Sequence, residues 1–162
     1  MKKLLMLGVI SIATTFANAE KWSSNFTHGS EENTLHNSFN ESITFSCNES
    51  MGEAVENGFW FSKKGKVSKD ANDGLAVLID SAAFLIVPTQ TKLEKDALIG
   101  GLLSSQLARA SSSIGLFSLN QGVWLKIAQF YPDGNGHFED CKPVFLRQLE
   151  LKKDQIFDKK IP

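Results

Sequence analysis

Residues 91–110 carry the one long run of this chain in which apolar side chains recur at helical spacing. The run opens Thr91-Lys92-Leu93-Glu94, a Thr-x-x-Glu capping box in which each side chain satisfies a backbone N–H left open at a helix start. Leu98, Ile99, Leu102, Leu103 and Leu107 then form a broad apolar stripe. Glu94 and Asp96 near the start and Arg109 near the end suit the helix dipole. The Gly100-Gly101 step inside it would cost an exposed helix about 2 kcal/mol relative to alanine. It therefore predicts that a strand or another chain packs closely there.

Short β-like runs flank the helix. Residues 42–47 alternate, with Ile43, Phe45 and Cys47 on one face. Phe59-Trp60-Phe61 marks an aromatic strand, and Lys63-Lys64-Gly65-Lys66 a basic turn. Residues 68–74 read as a polar loop. Residues 75–79 and 83–87 form a hairpin across Asp80-Ser81-Ala82. Its near-continuous apolar character predicts a central pair of strands covered on both faces. A second hairpin spans residues 114–131 around Asn120-Gln121-Gly122. Residues 144–151 read as a last strand. Residues 20–40, rich in Ser, Asn and Glu, read as a loose N-terminal arm on which Trp22 and Phe26 could dock. Residues 154–162 read as a charged, frayed tail.

The expectation is an α+β chain. One small antiparallel β-rich domain occupies residues 41–153, either an OB-like barrel or a two-sheet sandwich, with the long helix packed on it. The element order over residues 58–151 resembles the OB-fold, which includes the sugar-binding B subunits of secreted bacterial toxins. That resemblance implies a closed barrel and admits glycan binding. The extra strand and long arm before residue 58 depart from it.

Residues 1–19 have the layout of a secretory signal: Lys2 and Lys3, a short apolar run over residues 4–12, then Ala17-Asn18-Ala19. The apolar run is too short to span a bilayer. Residue 20 is Glu rather than Cys, which argues against a lipid anchor. The Met-Lys-Lys-Leu-Leu start has a bacterial character, so a periplasmic or secreted location in a Gram-negative host is expected. Losing Lys2 and Lys3 takes the formal charge from −1 to −3. With its basic residues scattered, the chain is not expected to bind nucleic acid. No later stretch qualifies as an integral membrane segment. Export makes Cys47 and Cys141 a candidate disulfide.

Chemical motifs are few. Residues 133–140 superficially resemble a calcium loop, but Phe138 and Val144 stand where such a loop needs Gly and Glu. His28, His36 and His137 lack zinc-ligand spacing. No Gly-x-Ser-x-Gly elbow or Walker-type lysine occurs. No metal, cofactor or catalytic residue is therefore expected. Candidate binding residues are Trp60, Trp124 and Tyr131, which could stack on a sugar or anchor a protein, with Asp133, Asn135 and His137 in the adjoining loop. The leading expectation is an exported, non-enzymatic protein that inhibits, neutralises or chaperones a protein partner. A glycan-binding module and a small periplasmic hydrolase are the alternatives.

Overall fold

The computed structural model describes residues 19–27, 29–48, 57–134, 136 and 141–157, with side chains to residue 150. The expected signal, apart from Ala19, lies outside these residues, as do Asn135 and His137. Strands β1 (Trp22–Thr27), β2 (Ser30–His36), β3 (Glu41–Asn48), β4 (Gly58–Lys63) and β5 (Lys66–Asp70) form an antiparallel meander in sequence order. A 3-10 turn, Ala71–Asp73, leads to β6 (Leu75–Ile79) and β7 (Ala82–Ile86). With β8 (Ile114–Asn120) and β9 (Val123–Phe130) these make a second antiparallel sheet of order β7-β6-β8-β9. The predicted helix is α1 (Lys92–Ala97), a π-helical segment (Leu98–Leu103) and α2 (Ser104–Arg109). Helix α3 (Val144–Phe157) closes the described chain.

The α+β class with two antiparallel sheets and one long helix agrees with the sequence reading. One core joins them. Leu35, Ile43, Phe45, Phe59 and Phe61 line the inner face of the five-stranded sheet, and Leu75, Val77, Ile114, Leu116 and Phe130 that of the four-stranded sheet. Between them lie Ile99, Leu103 and Leu107 of the helix. The Thr91–Glu94 box forms as expected, the Thr91 hydroxyl accepting the Glu94 N–H and the Glu94 carboxylate the Thr91 N–H.

Buried helix positions include Lys95, Ile99, Leu103 and Leu107, a spacing of four, whereas Leu102 is 60 % exposed. A regular helix turns 3.6 residues at a time, so such a row drifts about 40° per step and about 120° over its length. The π segment holds more residues per turn and takes back that drift. The row therefore stays on the core.

Three expectations are corrected. The loose arm over residues 20–40 is instead β1 and β2, paired from Trp22↔Leu35 to Thr27↔Ser30. Its alternation is hidden because polar Ser24 and Asn33 share the inner face with Trp22 and Leu35. Trp22 docks edge-on against Phe45, with ring centroids 5.8 Å apart, while Phe26 stays exposed. Residues 144–151, read as a strand, lie in α3, whose helix also reaches into the supposed frayed tail. The start of α3 is capped from afar: the Asp96 Oδ2 accepts the Val144 N–H at 2.6 Å. Finally, residues 66–70 within the supposed basic turn and polar loop form β5.

The two sheets also meet at a seam. The Glu20 N–H donates to the Tyr131 carbonyl at 2.9 Å, and the Asp133 N–H donates to the Glu20 carbonyl at 3.1 Å. This parallel bridge brings the chain just before β1 beside the chain just after β9.

Candidate functional site

The outer faces of the two sheets have opposite chemistry. On the five-stranded sheet the outward row Ser23–Thr34–Thr44–Trp60–Asp70 is polar apart from the indole. Neighbouring outward positions hold Ser42, Ser46 and Ser62. On the four-stranded sheet the row Leu85–Ala76–Phe117–Lys126 ends in one charge, and Ala83–Leu78–Gly115–Gln129 in one amide. Leu119 and Trp124 pair beyond them. Leu85 is 50 % and Leu78 38 % exposed.

Hydrophobicity along residues 75–87 pointed to strands covered on both sides. The structure covers one side only, and β7 is an edge strand. Its outer Ala83 and Leu85 are the exposed half of what the sequence presents as a buried hairpin.

Near the junction of helix and disulfide lies a buried polar knot. Cys47 and Cys141 are bonded, with Cα atoms 5.1 Å apart, inside the range for such bridges. The Asp96 Oδ1 accepts the Asn57 N–H at 3.1 Å. The Asn57 Oδ1 accepts the Asn48 N–H at 3.0 Å, and its Nδ2 donates to the Lys142 carbonyl at 3.3 Å. All this presses on the helix at Gly100, where a Cβ would collide with the Asn57 Nδ2 and lie 3.0 Å from the Pro143 nitrogen. The glycine step is thus a close approach, as its cost implied. Its neighbours are a loop residue and the lead-in to α3, not a strand. Gly101 is looser, its nearest such contact being the Pro143 Cγ at 3.8 Å.

Beside the knot is a cleft of about 260 Å³ between β4, the 3-10 turn and the helix, lined by Asn57, Trp60, Asp70, Asn72, Lys95 and Ile99. Lys95 is only 9 % exposed and donates from Nζ to the Asn72 Oδ1 at 3.0 Å. The Asp70 carboxylate caps the 3-10 turn, accepting the Asn72 N–H at 2.6 Å.

Among the described residues, four carboxyl groups depart from their ordinary acidity. Burial works against ionisation of Glu41, yet the Asn37 amide and the Lys63 ammonium, 2.9 Å away, together hold it below the usual range. Burial lifts Glu20 above that range, and the Tyr131 N–H bonded to it only partly offsets the effect. The Ser112 hydroxyl, then the Ser113 N–H, lower Asp80. The Thr91 N–H, then its hydroxyl, lower Glu94.

The residues singled out from sequence do not gather in one place. Trp60 sits half-buried on the outer face of the five-stranded sheet, its Cζ3 3.0 Å from where a Cβ on Gly58 would be. Trp124 is on the apolar face near the β8–β9 turn, and Tyr131 follows the other end of β9. Tyr131 is half-exposed and joins Asp133 at the Glu20 seam. Lys95, Asn72 and Asp70 were not singled out. Their signals were an Asp-x-Asn-Asp turn motif and the position of Lys95 in the four-residue row of the helix.

Among the described residues no group of three or more His, Cys, Asp or Glu side chains could hold a metal ion. No described helix is long and apolar enough to cross a membrane. No known protein family, curated protein or solved structure shows a significant match to this chain.

Proposed function

We propose that this is an exported binding protein that docks a protein partner on the outer face of its four-stranded sheet and works by binding alone. The observation that carries the reading is the apolar outer surface of β6–β9. There Leu78, Leu85, Ala83, Phe117, Leu119 and Trp124 share one face with only Lys126 and Gln129 as polar members. Contiguous apolar surface of this kind, rimmed by polar groups, marks interaction sites on folded proteins. Aromatic and aliphatic anchors supply most of the energy at such interfaces. The leader-like residues 1–19 and the Cys47–Cys141 bond support an oxidising compartment outside the cytoplasm.

The oxidised protein, immobilised, should retain one protein stoichiometrically from extracts of its source or of neighbouring organisms. The double variant Leu78→Glu/Leu85→Glu should lose that protein while Thr34→Glu, on the polar face, keeps it. Equal capture by all three, or capture by none, would remove the reading. A stable homodimer of the wild type, dispersed by the double variant, would replace the foreign partner with a second copy.

A further inference from the structure

The cleft beside Lys95 has chemistry of its own, separate from the apolar face. Lys95 is nine-tenths buried, and an ammonium carries three donors. One goes to the neutral Asn72 Oδ1. The ion pairs within the described side chains are Lys63–Glu41 and Lys142–Glu150, so Lys95 has no carboxylate partner there. Two of its donors therefore remain for an acceptor in the cleft, and an ammonium binds an anionic group more strongly than a neutral one. The other walls say what must accompany that anion. Half-buried Trp60 offers apolar surface, and an indole suits the C–H face of a sugar ring. Asp70, bonded to the turn amides, keeps acceptor capacity for hydroxyl groups, and the Asn72 Nδ2 is a further donor. A volume of about 260 Å³ is near the lower end for ligand pockets and suits a single ring.

From these groups we infer that the cleft binds a carboxylate-bearing sugar unit. Its carboxylate meets Lys95, its ring lies against Trp60, and its hydroxyls face Asp70 and Asn72. A bare inorganic anion fits less well, because it gains nothing from the Trp60 ring face.

The test titrates the full-length oxidised protein with sodium glucuronate, glucose, N-acetylalanine and inorganic phosphate. Binding is read by calorimetry and by the Trp60 indole N–H signal, assigned with Trp60→Phe. Glucuronate should bind with a dissociation constant of about 1 mM or tighter. It should bind at least tenfold more tightly than each of the other three probes. Lys95→Met should cost at least tenfold. Asn72→Asp, at an exposed position, should cost as much by giving Lys95 an internal counter-charge, and it keeps the test open if Lys95→Met does not fold. No binding of glucuronate, or equal binding of glucose, overturns the inference. Equal binding of phosphate or N-acetylalanine reduces the cleft to a general anion or carboxylate site and overturns it too. So does unchanged glucuronate affinity in Asn72→Asp.

Discussion

The two sheets share a core but solve the problem of their outer faces differently. The outer face of the five-stranded sheet carries Ser, Thr and one Trp, and its flank holds the polar fastenings: the disulfide, the Asn57–Asp96 knot and the Glu41–Lys63 pair. The four-stranded sheet turns Leu, Ala, Phe and Trp outward. Each outer face has one glycine two residues before an aromatic side chain that leans over it, Gly58 under Trp60 and Gly115 under Phe117. On the first sheet that aromatic side chain helps wall a polar cleft. On the second it adds to an apolar surface. The same local device serves two surfaces because the neighbouring strands, not the device, set the chemistry around it.

If the fastenings matter as this contrast implies, removing the disulfide has the largest effect. Cys47→Ser/Cys141→Ser frees a 94-residue separation and should cost about 4–5 kcal/mol in urea unfolding. A cost below about 1 kcal/mol would break the contrast. Next comes the helix step. Gly100→Ala should lose about 1–3 kcal/mol through overpacking against Asn57 and Pro143. Gly101→Ala should be neutral or stabilising by up to about 1 kcal/mol. Equal effects would mean that the knot does not press on the helix.

Acid should act more gently. Glu41 has a folded pKa below its unfolded one, so its contribution is whole above about pH 4.3 and is lost as the pH falls through the folded value. Because Lys63 is largely exposed, the loss should be about 1 kcal/mol at most. Unfolding curves between pH 3 and 6 should show it in the wild type and not in Glu41→Gln. Glu20, raised by burial, has the opposite sign: its contribution is present in acid and fades as the pH rises through its folded value. The smallest expected change is on the apolar face. Leu78→Glu/Leu85→Glu should alter stability by no more than about 0.5 kcal/mol per site, despite abolishing partner capture. A cost above about 3 kcal/mol would show that this face belongs to the core.

Much of the fold could be read locally. The capping box, the helix bounds and both hairpins of the four-stranded sheet rest on residues close together in sequence. What could not be read depends on distant partners. Helix α3 starts where a carboxylate 48 positions earlier meets the Val144 N–H. Strand β1 gains its place from Leu35 and Phe45 on neighbouring strands, and polar Ser24 and Asn33 mask its inner face. Of the candidate site residues, Trp60 could be named because an indole stands out in any sequence. Lys95 is harder to name, since its place in the buried row of the helix is a weak signal and its partner Asn72 lies 23 positions away.

The π segment stores rotational phase. The helix from Lys92 to Arg109 has 18 residues, and its buried row spends four residues on each turn where a regular helix needs 3.6. Deleting one residue within the Leu98–Leu103 stretch would let that turn tighten to ordinary helix and leave Leu103 and Leu107 within about 20° of their present directions. The same deletion in a helix without slack would swing everything after it by about 100°. The wide turn is thus a spare link in the chain. The length of this stretch is under looser restraint than the identities of Leu103 and Leu107, whose side chains fill the core.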